Sequence, residues 1–398
     1  MASISGSERP QTAAQTADQR GRIAALPVLE HSFNGTPFTV GIEEELMLLD
    51  PATLDLSQGI ETILADVPDE HAAQVKPELF KSVLEVATTP CDDIASATEQ
   101  LAGLRRLVGR IAERNGMLVG AAGTHPFALC DEQEIVERPR YRELVADLGF
   151  IAERELIFGT HVHVGIDSPD KAIYVADGIR RHLPLLLALS SNSPFWEGKN
   201  TGMMSARTPV FRAFPRQGVP PHYGSWEIYA RRVGQMTGSG AIEDYTYLWW
   251  DVRPHPNLGT VETRVFDQAT RIEDTAALAA LTLSLAHRFA ELFDEGDPLV
   301  EAPFELVDDN KVRAAVRGME GELIDFTQGC PVAATAMAEH LIAEVEPSAI
   351  AVGCRDELRR VSDIVASGTG ARRQLDFVAG HGDDLRELVA AAVALTAR

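Results

Sequence analysis

The chain has 398 residues, 45% hydrophobic and 24% charged, a globular composition with enough apolar material for a sizeable core. Its 59 acidic and 36 basic side chains leave a net charge of −23, which argues against general binding of nucleic acid or of an anionic membrane surface. A local basic pocket for one nucleotide stays compatible with that charge.

The first stretch is rich in Ala, Ser, Gln and Thr, with Arg9, Arg20 and Arg22 but no apolar segment between them. It reads as a flexible tail over 1–35 and not as a signal peptide, with a single folded domain over 36–398 beginning near Gly35-Thr36-Pro37. No apolar run long enough to cross a bilayer is expected. Cys91, Cys130, Cys330 and Cys354 form no C-x-x-C pair, so thiolate zinc and a disulfide scaffold are not expected, and free thiols in a reducing cytoplasm are.

Along the chain, short alternating segments mix with long helical ones, which predicts an α+β fold. A strand is predicted over Phe38–Leu48, FTVGIEEELML. Phe38, Val40, Ile42, Leu46 and Leu48 share one face, and Glu43 and Glu45 project together from the other. Glu44 falls on the apolar side and needs a partner there. In Ser82–Thr88, Glu85 opposes Leu84 and Val86. Apolar residues at helical spacing predict a helix over Ile94–Ala112, with Asp92 and Asp93 at its start. Met117–Ala122 reads as an apolar strand, and His125 just after it either joins a site or caps a turn. In Thr160–Ile166, His161 and His163 oppose Val162, Val164 and Ile166. A buried helix is predicted over Tyr174–Ser190.

From Asn192 to Pro221, five prolines and three glycines argue against a regular element. A loop this long is uncommon unless functional. Lys199, Arg207, Arg212 and Arg216 make it a candidate clamp for an anionic ligand. In Trp249–Arg253, Asp251 and Arg253 share a face. In Gly259–Asp267, Glu262 and Arg264 oppose Val261 and Val265. Helices follow over Asp274–Phe293, Asp356–Ala366 and Asp383–Ala397.

Any half-exposed strand alternates. Here, however, the polar faces carry Glu, His and Arg rather than the Lys, Thr, Ser and Gln of a solvated surface. Clustered carboxylates repel one another without a cation. Oxygen ligands with one imidazole suit Mg²⁺ or Mn²⁺, and Mg²⁺ shares its sites with substrate phosphates. A rival reading puts zinc on His161 and His163 with a glutamate, giving a metallohydrolase.

The segments VGIEEELMLLDP, SVLEVATTP, FGTHVHVGI, NSPFWEGKNTGMMSAR and LGTVETRVFDQ, in that order, resemble the carboxylate–amine ligase subgroup of the type 2 glutamate–cysteine ligases. The resemblance implies a glutamine-synthetase-like fold: a large, curved, mostly antiparallel sheet with helices on its convex face. It implies metal ligation by Glu43, Glu45, Glu78, Glu85, His161 and Glu262. It also implies that ATP phosphorylates a substrate carboxylate and that an amine then attacks the acyl phosphate. Arg264, Arg253 and Arg207 would stabilise the anionic transition state, and Lys199, Arg212 and Arg264 would hold the nucleotide. The name-giving small-molecule substrates are glutamate and cysteine. A homo-oligomer is left open, as is a non-catalytic, nucleotide-binding member of the fold.

Overall fold

The computed structural model describes residues 29–397. Of the predicted tail, residues 1–28 lie outside the described residues. Within the remainder Phe33 is buried, and Leu29 packs against the apolar cluster that holds Tyr223 and Tyr229.

Seven strands form the main sheet: β1 Val40–Leu49, β2 Val75–Pro77, β3 Val83–Ala87, β4 Leu118–Gly120, β5 Gly159–Gly165, β6 Val252–His255 and β7 Thr260–Asp267. Their order is β6–β7–β5–β1–β3–β2, and β4 pairs with the far end of β1. Every pairing is antiparallel. The architecture is α+β, as expected.

One face of the sheet is apolar. Val40, Ile42, Leu46, Leu48, Leu84, Val86, Val162, Val164, Val261 and Val265 all lie buried in a single core. Helices α1 Ile94–Arg114, α2 Pro169–Arg180, α3 Leu183–Ser190, α4 Ile272–Glu295, α5 Ala334–Ala351 and α6 Arg355–Ser367 contribute to that core. Asp93 caps α1 by accepting from the Ser96 N–H at 2.7 Å. The buried Glu44 finds its partner here: Arg105 of α1 donates to its two oxygens at 2.6 and 2.7 Å, and Thr275 donates at 2.7 Å.

Three expectations are corrected. The helix predicted over Tyr174–Ser190 is two helices, broken at Arg181–His182, because Pro184 lacks an N–H and fits only a first turn. The strand predicted over Trp249–Arg253 is divided at Asp251. Trp249–Trp250 pairs in parallel with Gln217–Gly218, while Val252 starts β6. Among the described residues, α4 is long and apolar enough to cross a membrane, against the expectation that no run is. Its most apolar window is 72% buried inside the fold, which makes it a core helix that is apolar because it is surrounded.

Candidate active site

The opposite face of the sheet floors a pocket of about 380 Å³. Strand register sets the spacing of its acids. Glu43 of β1 lies opposite His161 of β5, and Glu45 lies opposite Glu85 of β3. Glu262 of β7 lies between His163 of β5 and Arg253 of β6. Alternation then aims all of these side chains to one side.

The contacts are dense. His161 Nδ1 lies 3.1 Å from Glu43 Oε2, and Arg264 Nη1 is 3.4 Å from the same nitrogen. Arg253 Nε donates to Glu262 Oε2 at 2.6 Å, and Arg264 pairs with the other oxygen of Glu262. Two carbonyls, of Thr246 and Leu248, accept from Arg253 Nη1 and fix its plane. Lys76 Nζ donates to Glu85 at 2.9 Å. Glu45 accepts from the backbone N–H of Gly159. A Cβ at Gly159 would come within 2.5 Å of Arg207, so glycine there leaves room for the guanidinium.

The charges do not balance carboxyl by carboxyl. Burial works against Glu43, but His163 and His161 hold it well below the usual carboxylate range. Burial works against Glu262 too, and Arg253 and Arg264 hold it low. Elsewhere burial wins. It raises Glu45 despite Arg207, and, with the Glu43 charge, raises Glu85 despite Lys76. Burial with Glu85, Glu45 and Glu155 drives Glu78 well above its ordinary value. Glu155 is pushed up to about 8 by burial and by Glu45. The site is therefore short of positive charge on the Glu45–Glu78–Glu85–Glu155 side.

Two sets of ligand atoms have chelating spacing. One atom each from Glu43, Glu85 and His161 lie within 4.8 Å of one another, and so do atoms from Glu43, His163 and Glu262. The Nε2 atoms of both histidines are buried without a hydrogen-bond partner. Orphaned imidazole nitrogens beside underneutralised carboxylates fit a hard divalent cation, and an oxygen-rich set with one imidazole suits Mg²⁺ or Mn²⁺.

Arg207, Arg253, Arg264, Glu45 and Glu78 also line the pocket. Lys199 and Arg212 do not. Lys199 is exposed in the Phe195–Trp196/Lys199–Asn200 hairpin, and Arg212 pairs with Asp308 at 2.7 Å on another surface. A cationic loop residue has no periodicity to set its direction, which is why the sequence placed them wrongly. His125 is a turn cap: its Nδ1 accepts from the Ala128 N–H at 2.9 Å and its Nε2 reaches the Leu54 carbonyl at 3.0 Å. Sequence reasoning missed Glu155, Arg140, Tyr141 and Trp249 in the pocket wall. Of these only Glu155 carried a signal, as an acid just before the FGTHVHVG strand.

The long loop reaches the site through one carboxylate. Asp267, at the end of β7, accepts from the Asn192 N–H at 2.9 Å, Ser193 Oγ at 2.6 Å and Ser205 Oγ at 2.8 Å. Arg207, two residues past Ser205, is thereby held over the strand that carries Arg264.

The family model for glutamate–cysteine ligase family 2 matches residues 39–391. The chain belongs to this family. A Rubrobacter xylanophilus relative, provisionally named glutamate–cysteine ligase 2-3, is 44% identical over 87% of this chain and 94% of its own length. A Sorangium cellulosum relative, provisionally named glutamate–cysteine ligase 2, is 40% identical over 85% of this chain and 91% of its own. In fold, the chain is similar to a glutamate–cysteine ligase from Francisella tularensis solved in complex with AMP. The TM-score is 0.69 at 13% identity, covering 92% of this chain and 90% of that one. A bifunctional glutathione synthetase from Pasteurella multocida aligns with TM-score 0.66 at 15% identity, over 90% of this chain and 53% of that one. The chain is thus a glutamate–cysteine ligase-like protein by family and by fold.

Proposed function

We propose that the chain is an ATP-dependent carboxylate–amine ligase, with glutamate and cysteine as the first substrates to try. The observation that carries this reading is the convergence of Glu43, Glu85, His161, His163 and Glu262 into two ligand sets beneath Arg207, Arg253 and Arg264. The AMP in the Francisella neighbour is in keeping with a nucleotide in this pocket.

In this reading a substrate carboxylate oxygen attacks the γ-phosphorus of ATP, and the bond to the ADP oxygen breaks. The amine nitrogen then attacks the acyl carbon, loses a proton, and inorganic phosphate leaves. The protein's task is positioning and charge management. Arg264, kept protonated by Glu262 against its burial, presents fixed positive charge to the transferring group. Arg253, locked by two carbonyls and Glu262, holds that carboxylate in place. Arg207 approaches from the loop. Mg²⁺ or Mn²⁺ held by Glu43, Glu45, Glu78, Glu85, His161 and Glu262 would supply charge neutralisation for the phosphates. A reaction consuming ATP and small metabolites fits a cytoplasmic enzyme with a single catalytic domain over 36–398. The zinc-hydrolase alternative needs both imidazoles on one ion, and the ligand sets divide them.

Phosphate release should be screened with Mg-ATP over amino acids and amines. The expected result is release that requires both a carboxylate and an amine. It should fall by about 10²–10³ in Glu45→Gln or Glu262→Gln with unchanged circular dichroism. Hydrolysis without ATP by zinc-loaded protein would overturn the reading.

A further inference from the structure

A second cavity, of about 590 Å³, lies behind the Trp249–Trp250 strand, with Trp249 on the wall of the first pocket and Trp250 on the wall of this one. In a chain of net charge −23 its lining is cationic: Arg180, Arg212, Arg232 and Lys311, with Trp250 and Phe304 as apolar surface. Two of the cations are already matched. Arg212 pairs with Asp308 at 2.7 Å, and Lys311 with Asp251 at 2.6 Å.

The other two have no carboxylate within salt-bridge distance among the described residues. Arg180 is 2% exposed, yet its guanidinium donates only to carbonyls, Pro220 at 2.7 Å through Nε and Ala302 at 2.9 Å through Nη1. Its Nη2 makes no hydrogen bond among the described residues. Arg232 reaches only the His222 carbonyl, at 3.4 Å, and lies 5.2 Å over the Tyr223 ring. The remaining acid of the wall, Glu301, is exposed to solvent. A buried guanidinium without an anion is costly, and Arg180, facing one cavity with the solvent-exposed Arg232, forms a receptor for an oxyanion.

We infer that this cavity binds a small oxyanionic ligand, a carboxylate or a phosphate, whose charged end meets Arg180 and Arg232 and whose body lies against Trp250. The cavity is wired to the first pocket through Asp251. Its carboxylate holds Lys311, its N–H donates to Gly218 at 2.9 Å, and its carbonyl accepts the Arg264 N–H at 2.7 Å. A ligand that drew Lys311 towards itself would therefore pull on the backbone of the strand bearing Arg264. The site is separate from the acidic pocket, and it stands whether or not the ligase reading does.

The test uses the whole protein with inorganic phosphate in one arm and succinate in another, each against chloride at equal ionic strength. Thermal unfolding and tryptophan fluorescence are the readouts. Saturable stabilisation is expected in at least one arm, with quenching that Trp250→Phe removes. Which arm responds identifies the anion. Affinity should fall about tenfold or more in Arg232→Gln and further in Arg180→Gln, as for a lost charge-assisted hydrogen bond, and should persist in Arg264→Gln. Arg232 is exposed, so its variant reports even where Arg180→Gln fails to fold. No saturable response in either arm, affinity unchanged in Arg232→Gln, or affinity lost in Arg264→Gln would overturn the inference.

Discussion

Three consecutive glutamates divide between two faces of one strand. Glu44, on the helix side, is sealed: Arg105 and Thr275 satisfy its oxygens, and the spare N–H groups of Arg105 go to the carbonyls of Ala269 and Thr270 at 2.9 and 2.8 Å. Glu43 and Glu45, on the pocket side, share a crowded field with Glu85, Glu78 and Glu155, next to imidazole nitrogens that have no partner. The first arrangement is complete without a ligand. The second leaves imidazole nitrogens and buried carboxyls unmatched. Residue type alone does not separate a structural carboxylate from a functional one; the count of satisfied lone pairs does.

The comparison can be broken most forcefully from the sealed side. Arg105→Met strands a fully buried carboxylate, and chemical denaturation should show a loss of about 3–5 kcal/mol. A smaller effect tests another closed group, His125. Burial lowers its pKa to about 4, so it sits neutral in the fold. The unfolded chain binds the extra proton below pH ~6.5, so stability is intact above that value and falls as pH drops towards 4. Urea midpoints should show the wild type losing about 2–3 kcal/mol more than His125→Asn between pH 7 and 4.

The pocket side should respond to metal instead. Mg²⁺ at a hundred times its Kd should raise wild-type stability by about 2.7 kcal/mol. In Glu85→Gln the same shift should need roughly tenfold more Mg²⁺, while the metal-free variant is no less stable than wild type. Glu44→Gln offers the control for the comparison, since its metal response should remain. The smallest effect belongs to the helix that carries Arg105: Asp93→Ala removes its cap and should cost about 1 kcal/mol by thermal unfolding.

The sheet and the direction of its acids were legible because a period of two is a rigid signal. Glu43, Glu45, Glu85, His161, Glu262 and Arg264 could be assigned to one side before any register was known. The register itself was not legible. That Glu262 sits between His163 and Arg253 depends on long-range pairing which alternation does not encode. Where the chain has no period, sequence reasoning overreached or fell silent. Lys199 and Arg212 were grouped with Arg207 by charge, though only Arg207 turns inward. Glu155, Arg140 and Tyr141 stand in the wall without belonging to a patterned strand. Pro184 was visible, but its consequence was not, because a proline within an apolar run can end one helix or open the next.

The Asp267 clamp has a consequence for how such a protein can diversify. A single carboxyl group anchors the loop at its root, through Ser193 and Ser205, and the arginine that reaches the pocket follows immediately. The exposed hairpin tip Gly198–Asn200 lies between the two anchored serines, so it can be lengthened, shortened or exchanged without displacing Arg207. Variation in that tip leaves the acidic floor of the pocket in place.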